Sequence, residues 1–521
     1  ADPNAPDKNK NYWSAFGEWY FVGYGEGCAP LEAWSAKNPI FVIAQVYLNG
    51  VSAGEAYLSE VGSQVYAVGT NGYDITEDVK SRLAARGDQM ITNQDIPVPT
   101  WFVNYDAADH SLQYWKTAND CSPSGTQNAD YGTVYVQAGD SDAWQTQYAG
   151  PISKVAVDSR QSLSGREIHD FLTCYTRYDN TSAYGNALML RGDYTDVIVN
   201  AHKSPDRYAE QKVTMPDGAT ATMICTIVDI EGEPREILFY IPDNASELQP
   251  DGAPVITAWA GGSQTNIIFF DSTCWWETAN QNGIALIFTN EAYNTSVAVT
   301  PADVDACYHA MLDLLEGWND SGKFQFDLSR IYSTGQSMGS MESQQFAQET
   351  PDYYAAVAST SFYQDYPDAH SDKPIPTYLI NGEGNGKDDT GTPYDDRWNR
   401  TDDWAQYFLR VNGFVYTPAV YAADGTVTTF GVPVSEPVFT VTGPYDRFET
   451  YTWINGQDIP LVQYTNSLYR PHNCLTSEIP MLWDFLEHYR CERDEDGAVT
   501  ARYYSASAFE RDDQVLIQFG A

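Results

Sequence analysis

Two serines in this chain stand at the centre of a Gly-x-Ser-x-Gly pentapeptide: Ser337, in Gly335-Gln336-Ser337-Met338-Gly339, and Ser52, in Gly50-Val51-Ser52-Ala53-Gly54. That spacing serves nucleophilic chemistry when the serine sits on a sharp turn from strand to helix. The serine backbone is then strained, and the two glycines remove Cβ atoms that would collide with neighbouring elements. The first N–H groups of the helix point at whatever the serine attacks. The elements needed are a buried strand entering the motif and a helix leaving it. Around Ser337 both are legible, with Ile331–Thr334 as the end of a strand and Met341–Glu349 as a helix. After Ser52 only a few residues precede Gly62, which leaves room for a stunted helix.

A serine nucleophile needs a base to take its proton, an acid to orient that base, and donors for the oxyanion. Where the serine sits on such an elbow, the chain order is nucleophile, acid, histidine. Of the seven histidines, His472 follows a strand at Leu461–Tyr464 and precedes a helix at Glu478–Tyr489. That order puts it at the carboxyl edge of the sheet beside the elbow. His370 sits in a loop soon after the serine, and His488 lies near a helix end. The acid is expected after the strand Thr377–Asn381, where Glu383 is the first carboxylate and Asp388 and Asp389 are the alternatives. The strand Val255–Ala260 runs into Gly261-Gly262-Ser263-Gln264-Thr265, whose glycine pair can turn the N–H of Ser263 into the site to join that of Met338. Trp275 and Trp276 follow closely and are candidates either for a substrate cleft or for the core.

Buried strands alternate with helices over most of the chain, which predicts a mostly parallel, doubly wound α/β sheet. The long helix Pro301–Trp318 carries Val304, Cys307, Tyr308, Met311, Leu314 and Leu315 at helical spacing. Leu188–Ala201 and Val213–Asp229 read as strands of a transition region, Gln64–Val68 as a strand and Thr76–Ala85 as a helix. Residues 412–465 break the rhythm with short strands, a β-rich insertion at the sheet edge, and 491–521 form a tail. Val98-Pro99-Thr100-Trp101-Phe102-Val103-Asn104 echoes Ile375-Pro376-Thr377-Tyr378-Leu379-Ile380-Asn381, and Glu167–Leu172 echoes the helix holding Glu478, Ile479, Asp484 and Phe485. We therefore expect a linker at 1–11, an N-terminal α/β domain at 12–210 and a domain with the nucleophile at 211–521. The first would be a shortened, diverged copy of the second. Aligning Asp170 with Asp484 without gaps puts Asp158 opposite His472, and the strand echo ending at Asn104 and Asn381 makes Asp106 the counterpart of Glu383. Without a histidine there, the N-terminal copy is expected to be a scaffold or binding module and Ser52 a relic.

The chain has 521 residues, 29 of them basic and 71 acidic, a formal net charge of −42. Nucleic-acid binding and attachment to anionic membranes are disfavoured, because both need clustered cations. No apolar run is long enough for a membrane span. Without His-Glu-x-x-His or Cys-x-x-Cys patterns, no catalytic metal and no cofactor are expected, and acidic runs such as Glu492–Asp496 read as solvated loops. The eight cysteines are widely spaced, predicting some disulfides in an exported protein and buried thiols in a cytosolic one. Acidity and the richness in Tyr and Trp tilt the expectation to a secreted or cell-surface location.

The residues from Gly261 to Thr265, the helix Asp303–Trp318, the run Asp327–Gly339, Pro351–Ala358, and Pro471-His472 followed by Leu482–Phe485 resemble the poly(3-hydroxybutyrate) depolymerase and feruloyl-esterase-like group of α/β-hydrolases. The resemblance covers roughly residues 235–490 and leaves the N-terminal third aside. It implies an α/β-hydrolase fold and a serine esterase acting on an ester substrate, possibly polymeric, such as a polyester, feruloyl or acetyl esters on polysaccharide, or a small aryl ester. A serine peptidase on the same fold, or an inactive hydrolase-like surface-binding protein, is the alternative. Two positions depart from the family pattern: Ala260-Gly261 stands where His-Gly is usual, and Asn385 stands where the family has its aspartate.

Overall fold

A computed structural model describes residues 19–66, 91–105, 110–138, 152–177, 188–230 except 195, 232–289 except 263, 301–361, 363, 370–381, 395–416, 420–421, 427–429, 438–440, 448–467, 474–508 and 513–520. The chain divides into two compact units, Ala15–Gly192 and Asp193–Val441 with Asp446–Ala521.

The N-terminal unit holds a six-stranded sheet made of β1 (Trp19–Tyr24), β2 (Val42–Leu48), β3 (Thr100–Val103), β4 (Thr126–Asn128), β5 (Gly132–Val136) and β6 (Lys154–Asp158). The strands lie in the order β1-β2-β3-β6-β5-β4. The first four are mutually parallel, and β5 and β4 fold back antiparallel. Helices α1 (Cys28–Lys37), α2 (Glu55–Gly62), α3 (His110–Ala118) and α4 (Gly165–Thr173) connect them. Every residue of β2 and β3 is buried, as expected for parallel strands covered on both faces.

The second unit is built on an eleven-stranded mixed sheet. Its strands are β7 (Tyr208–Thr214), β8 (Thr220–Ile230), β9 (Glu233–Pro242), β10 (Ala253–Trp259), β11 (Ala285–Thr289), β12 (Phe326–Gly335), β13 (Ala356–Thr360), β14 (Thr377–Asn381), β15 (Val438–Thr440), β16 (Phe448–Ile454) and β17 (Pro460–Ser467). They are ordered β7-β8-β9-β11-β10-β12-β13-β14-β17-β16-β15. The strands from β11 to β17 are parallel, and antiparallel pairs close both ends. Helices α5 (Asp196–Lys203), α6 (Asn266–Thr273), α7 (Trp275–Asn282), α8 (Pro301–Ser321), α9 (Met338–Glu349), α10 (Asp395–Val411) and α11 (Glu478–Leu486) flank the sheet. Cys307, Tyr308, Met311 and Leu315 of α8 are buried, as their spacing predicts. The last six strands of that order, β12-β13-β14-β17-β16-β15, have the same sequence order and the same senses as the whole N-terminal sheet.

Local details repeat too. Asn119 Nδ2 donates to the carbonyl of Val98, two residues before β3, and to that of Trp115. Asn412 Nδ2 donates to the carbonyl of Ile375, two residues before β14, and to that of Phe408. The residue after β2, Asn49, has φ 50°, and the residue after β13, Ser361, has φ 65°.

The structure departs from the sequence reading at several places. Leu188–Ala201 is strand only at Leu188–Leu190, and 196–203 are helical. The β-branched run Val197-Ile198-Val199 suggests a strand, but Val197 and Ala201, one helical turn apart, are the positions that bury. Val213–Asp229 is broken by a turn at Met215–Gly218, where Gly218 has φ 85°. Helix α9 begins at Met338, directly after the serine. Within 412–465, Val420–Tyr421 pairs with Val427–Thr429, while β15 and β16 widen the main sheet. Of 64–85, the pair Val65–Tyr66 is a strand, and the expected helix Thr76–Ala85 lies outside the described residues. No disulfide joins the eight cysteines. The tail strands β18 (Tyr489–Arg493), β19 (Val499–Tyr504) and β20 (Val515–Leu516) form a small sheet. Arg493 donates to the carbonyls of Leu328, Asp352 and Tyr353, and Arg502 to those of Pro374 and Tyr354.

Helix α9 meets the sheet through polar side chains. Ser340, Ser343, Gln344 and Gln348 are all fully buried. Ser343 Oγ accepts from Ser333 Oγ at 2.9 Å, Ser340 Oγ donates to Ser359 Oγ at 3.0 Å, and Gln344 Nε2 donates to the same hydroxyl at 2.5 Å. Trp404 Nε1 of α10 donates to Gln344 Oε1 at 3.1 Å. In the N-terminal unit Glu32 of α1 is likewise buried and accepts from Trp115 Nε1 at 3.0 Å.

Replacing Gln344 by leucine keeps the volume but strands the Trp404 indole N–H, a loss of about 1–3 kcal/mol. We expect Gln344→Leu to lower the denaturant midpoint read by tryptophan fluorescence, and an unchanged midpoint would exclude this account of the helix–sheet layer. A second prediction concerns Glu487, just after α11. Burial first, and the charge of Asp484 second, push its carboxyl from the ordinary 4.5 up to about 7. Its stabilising contribution is therefore complete below pH 4.5 and is lost as the pH rises through 7. Glu487→Gln should melt higher than wild type at alkaline pH, with the gap closing toward acid. A gap that does not change with pH would contradict the assignment.

Candidate active site

Strand β12 carries the motif to the carboxyl edge of the sheet, and the turn there is forced by close backbone approach. A Cβ on Gly335 would lie 2.2 Å from the carbonyl oxygen of Gly339, and a Cβ on Gly339 would lie 1.8 Å from that of Trp259. Neither contact is possible, so both flanking residues must be glycine. Between them Ser337 has φ 58° and ψ −115°, a strained backbone for a residue with a side chain. Three backbone bonds hold it. Ser337 N–H donates to the carbonyl of Thr360, Gly339 N–H to that of Gln336, and Met341 N–H to that of Ser337, at 3.3, 3.0 and 3.0 Å. Ser337 and Met338 are half-buried, which leaves the serine within reach of a ligand. Met338 opens α9, so its N–H is among the first-turn donors that have no carbonyl four residues back in the helix.

The parallel registers align the strand ends beside the turn. Trp259 of β10 pairs with Gly335, Gln336 bridges Thr360 of β13, Thr360 pairs with Ile380, and Asn381 of β14 with Asn466 of β17. The segment after β10 packs directly on the elbow. A Cβ on Gly261 would lie 2.4 Å from Gln336 Oε1, and one on Gly262 would lie 3.1 Å from Met338 Sδ. Gly261 N–H donates to Gln264 Oε1 at 2.8 Å. Ser263 itself, and Glu383, Asp388, Asp389 and His472, lie outside the described residues. Their strands end at this edge: Glu383 is the second residue after β14 and His472 the fifth after β17. Trp275 and Trp276 do not line a cleft. They are 1% and 2% exposed on α7, so their rings belong to the interior.

Ser52 is not an elbow serine. The positive φ in its turn falls on Asn49, a Cβ on Gly54 would meet nothing, and Gly50 is tight only against Cys28 and Tyr105. The motif there lies after the second strand of the N-terminal sheet, while Ser337 lies after the first of its matching six. The first N-terminal strand ends in Gly23-Tyr24 and continues into Gly25-Glu26-Gly27, and Tyr24 pairs with Leu48 as Gln336 pairs with Thr360. Gly25 holds the place of Ser337, with φ 57° and open space where a Cβ would go. The ungapped alignment that puts Asp158 opposite His472 also changes. The connection from β6 to α4 is six residues, 159–164, against ten, 468–477, from β17 to α11, and the shorter one has no histidine.

Sequence reasoning missed one group at this edge. Glu478, the first residue of α11, is fully buried, and its Oε2 accepts from Thr360 Oγ1 at 2.7 Å. A glutamate opening a helix reads as a solvated dipole partner, so the pattern alone signals nothing. Among the described residues no cluster of His, Cys, Asp and Glu could hold a metal ion, and no helix is long and apolar enough to cross a membrane.

No protein-family model matches the sequence. No curated protein matches it either. Solved structures do show partial likeness. An acetyl xylan esterase from Aspergillus awamori is 13% identical, with 50% of this chain and 99% of that chain covered and a TM-score of 0.33. An S-formylglutathione hydrolase from Staphylococcus aureus is 19% identical, with 38% and 87% covered and a TM-score of 0.27. A thermostable esterase is 15% identical with a TM-score of 0.28, and the chain spans only 52% of its length while 36% of this chain is covered.

Proposed function

We propose that this chain is a serine esterase of the α/β-hydrolase kind, cleaving carboxylic esters through an acyl-enzyme. The observation that carries the reading is the backbone of Ser337, with φ 58° and ψ −115° between two glycines that no other residue can replace. Strain of this kind persists only where the surroundings enforce it. Here they enforce it on a half-buried hydroxyl at the end of a central parallel strand, where α/β sheets bind ligands.

In this reading His472 takes the proton from Ser337 Oγ as the oxygen bonds to the ester carbonyl carbon, and Glu383 orients the imidazole. The tetrahedral oxyanion rests against the N–H groups of Met338 and Ser263. Collapse breaks the bond to the alcohol, which leaves with the proton from His472. Water, deprotonated by the same histidine, then attacks the acyl-enzyme and releases the acid and Ser337. The substrate classes are polyesters, feruloyl or acetyl esters of polysaccharide, and small aryl esters. The N-terminal unit is a diverged, non-catalytic copy of the unit with the nucleophile. Its shared strand order, the glycine at 25 and the histidine-free connection 159–164 support that reading.

A fluorophosphonate probe should label the wild-type chain at one site, Ser337→Ala should abolish labelling, and Ser52→Ala should leave it intact. Labelling that survives Ser337→Ala would end the proposal. His472→Ala should lower kcat on p-nitrophenyl acetate by on the order of 10⁴-fold. A panel of p-nitrophenyl esters, feruloyl esters and dipeptide amides then separates esterase from peptidase.

A further inference from the structure

We propose that Glu478 is a positioning residue of this reaction, a buried carboxylate that ties the helix following His472 to the strand end holding the nucleophile. The inference rests on the reading of Ser337 as that nucleophile. Glu478 has no solvent exposure, although it stands at the first position of α11 after Ser477. Its side chain turns inward to accept the Thr360 hydroxyl at 2.7 Å. Thr360 is the residue whose carbonyl receives the Ser337 N–H and whose backbone bridges Gln336. It also precedes Ser361, whose φ of 65° turns the chain away from the sheet. One side-chain bond therefore links the element six residues past His472 to the backbone that orients Ser337.

Burying a carboxylate is costly and is not needed to start a helix there. The N-terminal unit carries out the same structural task without one. Its second strand ends at Leu48, which is 5% exposed, where β13 ends at Thr360. Its matching helix α4 begins at Gly165 under an ordinary capping box, in which Ser164 accepts from the N–H of Glu167 and Glu167 accepts from Ser164. The unit with glycine in place of the nucleophile thus has an apolar strand end and a solvated cap. The unit with Ser337 has a threonine and a sequestered carboxylate. At this helix start the carboxylate goes with the nucleophile; the buried carboxylate of the N-terminal unit, Glu32, lies on α1 instead.

The test is a double-mutant cycle over Thr360 and Glu478 on p-nitrophenyl acetate, with the rate of fluorophosphonate labelling measured beside it. Glu478→Ala and Thr360→Val should each lower kcat and the labelling rate by roughly 10- to 100-fold while KM changes less than about twofold. The double variant should be no worse than the poorer single one, because both remove one interaction. Thr360→Ser, which restores the hydroxyl, should recover most of the loss. Additive losses, losses confined to KM, or wild-type rates in Thr360→Val would overturn the proposal. Thr360→Val adds no cavity and answers the question even if Glu478→Ala does not fold. If the wild-type chain itself is not labelled at Ser337, the esterase reading fails first and this one with it, whereas labelling with unaffected variants removes Glu478 alone.

Discussion

The contact on which the unit carrying Ser337 depends is the approach of Gly339 to the carbonyl of Trp259, where a Cβ would have to sit 1.8 Å from the oxygen. It joins the first turn of α9 to β10, a neighbouring strand. It fixes where the helix begins, and through Gly335 it fixes how sharply β12 must turn. Ser337, caught between the two, takes the strained backbone as a consequence. The parallel register on either side then follows, since Trp259 and Thr360 can both reach the turn only if β10 and β13 end level with β12.

The N-terminal unit shows what the same six-strand order looks like when that contact is absent. Gly25 and Gly27 have open space where a Cβ would point, so the counterpart of the Gly339–Trp259 contact is missing. Cys28, which opens α1, still packs closely, since a Cβ on Gly23 would lie 3.0 Å from its Cα and 2.9 Å from the Tyr47 ring. The asparagine clamp before the third strand, the left-handed residue after the second and the tryptophan bond to α1 or α9 all persist. These belong to the architecture. The strain, the threonine at the end of the second strand and the buried glutamate do not persist, which separates the parts of the second unit that hold the sheet from those that aim the serine.

Legibility in the sequence followed the range of the interaction. Parallel strands were readable as apolar runs because burial on both faces writes itself into consecutive residues, and the elbow at Ser337 was readable because its constraint is held within five residues. The repeat is visible in its strand segments. The two pentapeptides share their spacing but not their place in the fold, since the structural counterpart of Ser337 is Gly25, a position with no chemistry to notice. The helix at 196–203 was hidden by β-branched residues whose burial is decided by tertiary packing. Glu478 was hidden for a different reason, because an acidic first turn has an ordinary explanation in the helix dipole. Only the 118-residue separation from Thr360 turns it into a buried partner.

The polar underside of α9 belongs to the same logic. Where the first turn of the helix is pressed onto a strand carbonyl, small side chains let the following turn lie close, and the bulky Phe346 packs on Trp259 only about two turns further along. Serines at 340 and 343 let it lie close, and Gln344 and Gln348 reach neighbours at greater distance. Apolar contacts would tolerate rotation of the helix about its axis, since they are not directional. Hydrogen bonds from Ser340 and Gln344 to the single hydroxyl of Ser359 do not tolerate it, because each is restricted in length and angle. The orientation of the Met338 N–H, at the end of that helix, is therefore set by serines and glutamines in the interior. A layer that hydropathy reads as surface is what holds the elbow in register.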